Sequence, residues 1–391
     1  RKNDMLLREG DKAKEYYFIE EGFLRSYATD PEGNDVTTGF YTSGEILMEW
    51  PSFLLQKPTR ENIQALNDGK ANLIASRGTG KNGLVLAGHT DTVPCDESRW
   101  QSDPFSLSER DNRFYGLGST DMKGFFAVVI EAIRAFEDID FQQPLIILAT
   151  ADEESSMSGA RALSQDMFNA RYAVIGEPTG LKPIRMHKGV MMESIALRGQ
   201  SGHSSNPALG KNALDAMYKA IAELMALREE WGLHYQNSAF EVDVPTLNLA
   251  SIHGGDAPNR ICSHCELRFD VRLMPGMQSG EVRQVIRQRV EQALLGTGIR
   301  AEIESIFAGV EAFSQAPDSE LLKTVESLTG YSAGNVGFAT EAPFLQALGM
   351  ETVVLGPGSI DCAHQANEFL PHDQIKPAIE LLKSLIQRYC L

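Results

Sequence analysis

Three stretches of the chain carry three different patterns of apolar and polar positions. Over residues 1–68, short strand-like runs (Tyr16 to Ile19, Phe23 to Ala28, Val36 to Tyr41) are separated by Glu21-Gly22 and Asp30-Pro31-Glu32-Gly33-Asn34. Aromatic and β-branched runs bounded by Gly, Pro, Asn and Asp predict antiparallel hairpins. From about residue 71, short continuous apolar runs (84–87, 145–150, 173–175) alternate with helical stretches such as 124–136. That alternation predicts a mostly parallel sheet covered by helices, an α/β fold. Residues 182–296 differ again: strands rich in β-branched and aromatic residues at 191–197, 246–252 and 265–273 flank amphipathic helices at 212–231 and 279–295. They predict a smaller α+β domain inserted into the first. The α/β pattern returns near Ala301 and closes with a helix over 375–389. The expected organisation is an atypical β-rich segment 1–68, an α/β domain of 69–181 plus 297–391, and an inserted domain 182–296.

Composition narrows the function classes. A chain of 391 residues suits two domains or one large domain with an insertion. Apolar residues at 42% and charged residues at 23% are ordinary globular usage, which excludes a disordered or collagenous chain. The formal net charge of −17 argues against a nucleic-acid partner and suits cation binding. No apolar run reaches the roughly 18–20 residues of a membrane span. The charged stretch 1–14 lacks the apolar core of a signal peptide, and five cysteines make no disulfide framework. A cytoplasmic protein without a membrane partner is expected. Cys262-Ser263-His264-Cys265 has no second pair at zinc-finger spacing and reads as ordinary thiols on a strand.

The candidate chemistry lies just after the apolar strands. His89 and Asp91 follow 84–87, and Asp121 sits in the turn-rich Gly116 to Gly124. Asp152-Glu153-Glu154 follows 145–150, Glu177 follows 173–175, and His364 follows Gly356-Pro357-Gly358-Ser359. Ligands of parallel sheets bind beyond the carboxyl ends of the strands, so these side chains can converge on one crevice. Imidazoles and carboxylates form a mixed nitrogen and oxygen donor set that suits zinc or cobalt. Singly, each has a plainer reading: a packed histidine, a solvated helix start, an N-cap. Recurrence after one strand upon another favours the site.

Residues 71–391 resemble the dinuclear-zinc amidohydrolase and exopeptidase family of the aminoacylases, glutamate carboxypeptidases and succinyl-diaminopimelate desuccinylases. The stretches that carry the resemblance are LVLAGHTDTVP (84–94), YGLGSTDMKGFFA (115–127), ILATADEESSMSGAR (147–161), IGEPT (175–179), MHKG (186–189), GQSGHSS (199–205), PTLNLASIHGGDAPNRICSHCELRFDVR (245–272), TEAPF (340–344) and LGPGSIDCAH (355–364). The resemblance implies two Zn2+ ions, with Co2+ as a substitute. His89, Asp121 and Glu177 would hold one ion and Asp121, Glu154 and His364 the other, Asp121 bridging. It implies Asp91 as the acceptor that orients His89, Glu153 as general base, and His203 as an oxyanion donor reaching across a homodimer. Asn259 and Arg272 would hold the substrate's α-carboxylate, and Glu341 would face a cationic amine. The implied reaction is hydrolysis of an N-acyl amino acid. The long local matches point to N-acetylornithine, in arginine biosynthesis, over N-succinyl-diaminopimelate.

Residues 1–68 resemble instead part of the β-roll of cyclic-AMP-receptor-type regulators, on LLREGDKAKEYYFIEEGFLRSYATDPEGNDVTTGFYTSGEI (6–46) and SFLLQKPTRENIQAL (52–66). No helix-turn-helix follows, and no arginine stands between Gly44 and Arg60 to hold a phosphate. A fragment that ignores cyclic nucleotide is expected. The other class of reading, a ligand-sensing regulator fused to an impaired scaffold, rests on this segment alone.

Overall fold

A computed structural model describes residues 5–14, 17–18, 23–29, 35–42, 46–47, 62–66 and 71–391. It comprises two units, Arg1–Leu73 and Ile74–Leu391.

In the first unit the strands run antiparallel in the order Met5–Leu7, Asn62–Leu66, Phe23–Thr29, Asp35–Thr42, and Tyr17–Phe18 pairs separately with Ile46–Leu47. The hairpin expected over Phe23 to Tyr41 is present, its turn signal between the two strands. Leu7, Ala13, Leu24 and Leu47 form its small core. Gly44, Glu45, Met48, Glu49, Trp50 and Arg60, on which the expectation about nucleotide rests, lie outside the described residues, as do Tyr16 and Ile19.

The second unit is built on an eight-stranded sheet. Its middle is parallel: Glu351–Gly356, Ala170–Pro178, Gly83–His89 and Leu145–Thr150 lie side by side. The apolar runs are continuous because both faces are covered. Leu84, Leu86, Val174, Val353 and Leu355 point to one face, which is packed by the helices Lys123–Arg134, Glu320–Thr329 and His372–Cys390. The intervening Val85, Ala87, Ala173, Ile175 and Val354 point to the other, against Phe168, Phe313 and Leu345. The Lys123–Arg134 helix comes close at one point because Gly176 has no side chain. A Cβ there would lie 2.2 Å from the Phe125 ring.

A second sheet is antiparallel throughout, in the order Thr246–Gly254, His264–Leu273, Gly189–Arg198, Arg300–Val310. The pattern places the return of α/β alternation near Ala301, yet Arg300–Val310 pairs with Gly189–Arg198, so this layer extends past residue 296. Its pairing shows which sheet it joins, and Ile303 is buried in that sheet's core. Helices Ala213–His234 and Ser279–Ala293 bury Met217, Leu224, Val282 and Ile286 in that sheet's core. Asn212 caps the first of them, accepting from Leu214 N at 3.0 Å and Asp215 N at 3.4 Å. Inside this layer Glu193 is buried, and Arg283 grips it through Nε at 3.1 Å and Nη2 at 2.8 Å.

Candidate active site

The parallel strands end along one edge, in register: His89 lies opposite Thr150, and Pro178 opposite Gly356. Each strand therefore delivers the residues that follow it to the same rim. His89 closes its strand and is 1% exposed. Its Nδ1 lies 3.1 Å from the backbone carbonyl of Asp91. A carbonyl only accepts, so Nδ1 carries the hydrogen and Nε2 faces the cluster. Asp121 splits its carboxylate between two imidazoles: Oδ1 is 3.1 Å from His89 Nε2, and Oδ2 is 3.3 Å from His364 Nε2. Glu154 approaches the same His364 nitrogen at 3.1 Å. His89, Asp121 and Glu154 each bring a donor atom within 4.8 Å of the others.

Asp91 accepts from the His89 imidazole through its backbone carbonyl, and its carboxylate has a second task. Its Oδ1 is 3.6 Å from His89 Nδ1, and its two oxygens accept instead from the N–H groups of Glu153 and Glu154, each at 3.1 Å. It thus ties the His89 strand end to the turn that carries both glutamates. That turn is further braced by Asp152, at φ 67°, whose carboxylate accepts from Ser155, Ser156 and Ser158. His364 also sits at positive φ, 59°. Strained backbone at such positions is held by its surroundings and is frequent at functional sites.

The electrostatics of the cluster call for added positive charge. Burial raises Glu177 to about 8, with Asp121, Glu341 and Glu154 adding to the rise while His89 opposes it. Burial also pushes Glu153 well up, reinforced by Glu177, and Glu154 up, reinforced by Asp121. Burial works against a charged His89, yet its bonds to Asp121 and Asp91 outweigh this and carry it up to about 12. Crowded carboxylates that hold a proton on an imidazole so tightly are arranged for a cation. The donors are nitrogen and oxygen, the set that zinc and cobalt accept. The residues fit a metal.

Glu341 stands just before the helix Ala342–Ala347, buried. Thr150 Oγ1 donates to its Oε2 at 2.8 Å, and its Oε1 has no hydrogen-bond partner among the described residues. Burial lifts its pKa to about 7, against Thr150 and His89. Three expected residues lie on the antiparallel layer or its loops. His203 is exposed, bonds Ser205 at 2.8 Å, and makes an isolated bridge to Arg260. The Asn259 carbonyl accepts from Ser204 N at 3.2 Å, and Arg272 donates to Asp270 at 3.0 Å. Among the described residues, none of the three bonds a member of the cluster. Cys262 and Cys265 are buried; Cys262 Sγ donates to the His264 carbonyl at 3.0 Å.

Sequence reasoning missed Thr150, His187 and Glu368. Thr150 reads as the end of a buried strand, and its bond to Glu341 spans 191 positions. His187 lies in a quoted motif without a role; it is fully buried, and its Nε2 accepts from Thr340 N at 3.3 Å. Glu368 begins an apolar run and nothing local marks it, yet it receives three backbone N–H groups of the Asp121 turn.

Nitrogen and oxygen donors at the carboxyl edge of a parallel sheet are what metal-dependent hydrolysis of an amide requires. Comparison with known proteins places the chain in that class: residues 85–388 match the model of Peptidase family M20/M25/M40, and the chain belongs to this family. The acetylornithine deacetylase of Edwardsiella ictaluri is 48% identical over 322 residues, covering 82% of this chain and 84% of the relative. The aminopeptidase PepT from Bacillus cereus superposes with a TM-score of 0.64 at 21% identity, over 82% of this chain and 84% of that one. A dinuclear metal-binding peptidase of the M20 family from Bacillus subtilis superposes with a TM-score of 0.58 at 15% identity, over 82% and 86%. These two structures share the fold. Residues 1–77 match the model of the cyclic nucleotide-binding domain, as the motifs of that segment suggest. No helix among the described residues is long and apolar enough to cross a membrane.

Proposed function

We propose that the chain hydrolyses the N-acetyl amide of N2-acetyl-L-ornithine to L-ornithine and acetate, as a cytoplasmic homodimer loaded with two zinc ions. The observation that carries the chemistry is the divided carboxylate of Asp121, one oxygen toward His89 and the other toward His364. The 48% identity to an acetylornithine deacetylase supports the substrate. His89, Asp121 and Glu177 would hold one ion and Asp121, Glu154 and His364 the other. When bound, such ions polarise an amide carbonyl and make a water acidic at neutral pH.

The chain's own residues do the rest. Glu153 is the general base. Its burial, with Glu177 beside it, keeps its carboxyl basic enough to take a proton from water and return it to the leaving amine. Asp91 holds the turn of Glu153 and Glu154 by their backbones, and it is the Glu154 side chain that reaches His364, leaving Glu153 free to act as base. Arg272 and Asn259 would receive the α-carboxylate, Arg through its planar fork. Glu341, with an unpaired buried oxygen, would receive the substrate's side-chain amine. His203, exposed and bonded within its own loop, would serve the oxyanion of the partner subunit's site.

The test is elemental analysis together with assays on N-acetylornithine and N-succinyl-diaminopimelate. About two zinc ions per chain are expected, with a chelator removing both metal and turnover, and zinc or cobalt restoring them. Trace metal only, after purification in zinc-supplemented buffer, would overturn the catalytic reading. Faster turnover of the succinyl substrate would move the chain to the desuccinylases.

A further inference from the structure

The turn that presents Asp121 is not held by a regular element. It lies between the strand Arg113–Tyr115 and the helix Lys123–Arg134, and the N–H groups of Gly118, Thr120 and Asp121 point inward from it. All three that matter converge on one side chain. Glu368 Oε2 accepts from Gly118 N at 3.0 Å, and Oε1 accepts from Thr120 N at 2.8 Å and Asp121 N at 2.9 Å. The Glu368 backbone carbonyl takes a fourth, from Gly116 N at 3.2 Å, and Thr120 Oγ1 donates to the carbonyl of Phe369. Glu368 is 2% exposed. Convergent backbone N–H groups form an anion-binding nest, and here the anion is built into the chain. Charge-assisted bonds of this kind are about twice as strong as neutral ones.

The turn is also fixed by Leu117 N to the Pro104 carbonyl at 2.9 Å, Ser119 N to the Gly116 carbonyl at 3.0 Å and Gly124 N to the Gly118 carbonyl at 3.1 Å, but the N–H groups of Thr120 and Asp121 are met by Glu368. Gly118 is at φ 80°, and Gly124 sits so close that a Cβ would lie 2.1 Å from the Ser119 carbonyl. The other end of the contact is equally placed: Glu368 comes four residues after His364 and leads into Phe369–Pro371, which pairs with Arg113–Tyr115. One carboxylate therefore connects the segment bearing Asp121 to the segment bearing His364, across 247 positions of sequence.

We propose that Glu368 is a positioning residue: seated on three backbone N–H groups, its carboxylate holds the Gly118–Asp121 turn so that Asp121 faces both histidines at once. This rests on the reading of Asp121 as the bridging ligand. Glu368 touches neither metal nor substrate; it acts through Asp121. Removing it leaves three buried N–H groups without an acceptor and frees the Asp121 backbone to shift.

The experiment uses the full chain as wild type, Glu368→Ala and Glu368→Gln, with Zn2+ and Co2+ as probes. Zn2+ affinity is read by competition with a chromophoric chelator, Co2+ geometry by visible absorption, and folding by thermal unfolding. Both variants should remain folded and bind Zn2+ about 10–100-fold more weakly, the range for removal of a residue that orients a ligand. Their Co2+ spectrum should change. In Glu368→Ala, formate should occupy the nest and recover part of the affinity, measured against wild type in the same formate, while chloride at equal ionic strength should not. If Glu368→Ala does not fold, Glu368→Gln decides, because it keeps the volume but turns an amide donor toward the N–H groups. Lower thermal stability with unchanged Zn2+ affinity and an unchanged Co2+ spectrum would make Glu368 merely structural and overturn the proposal. Failure of wild type itself to bind Zn2+ would instead overturn the metal reading on which the proposal stands.

Discussion

At the scale of single residues, the site separates two neighbouring glutamates. Asp91 accepts from the N–H of each at the same distance, so the backbone treats them alike. Their side chains diverge: Glu154 reaches His364, while Glu153 is half-buried among charges and, among the described residues, bonds no histidine. A base must be free of metal, whereas a ligand cannot be. Glu153→Gln should therefore abolish nearly all turnover, by about 100-fold or more for loss of a general base, and keep both ions. Glu154→Gln should lose metal occupancy first and turnover as a consequence. Elemental analysis of the two purified variants, set beside their rates, checks this; equal metal loss in both would reverse the division of roles.

At the scale of elements, His187 joins the strand Ile184–His187 to the turn that carries Glu341. Its Nδ1 donates to the Lys188 carbonyl at 2.9 Å, and its Nε2 accepts from Thr340 N. The Nε2 bond needs the neutral ring, whereas Nδ1 can donate in either state, and full burial lowers the pKa from 6.5 to about 4. Between these values the unfolded chain binds a proton that the native chain refuses. The stability due to neutral His187 is therefore complete above about pH 6.5 and declines as pH falls toward 4. A shift of that size amounts to about 3 kcal/mol at full development. Urea unfolding at a series of pH values should show the decline in wild type and a flatter profile in His187→Gln. Parallel profiles would remove His187 from the account.

At the scale of the whole molecule, the Ile74–Leu391 unit assembles the donors by strand order and places His203 elsewhere. His203 is bonded to Ser205 on an exposed loop of the antiparallel layer. If it serves a partner's site, two defective chains can repair each other. His203→Ala should lower kcat far more than KM, because an oxyanion donor acts once charge develops. Mixing it with Glu153→Gln should restore part of the activity, since a hybrid dimer holds one site with both residues intact. Subunit exchange confirmed by mass, without recovered turnover, would assign His203 to its own chain.

Much of this was legible in the chain itself. Continuous apolar runs marked the parallel strands because burial on both faces leaves no polar period, and 145–150 was located to the residue. Enrichment in β-branched and aromatic residues marked strands of the second sheet, because such side chains pack well on a pleated surface. The donor types were legible too, because metal chemistry restricts them and strand ends concentrate them. What only the tertiary structure decided were pairings between distant positions. Arg300–Val310 has the same local pattern in either sheet, and only hydrogen bonding to Gly189–Arg198 chose between them. The double approach of Asp121 to His89 and His364 depends on strand order and register, which local sterics do not encode. Glu368 and His187 act through contacts spanning 247 and 153 positions. Such bonds exist because burial leaves backbone N–H groups in want of an acceptor, and which side chain answers is settled when the sheets pack.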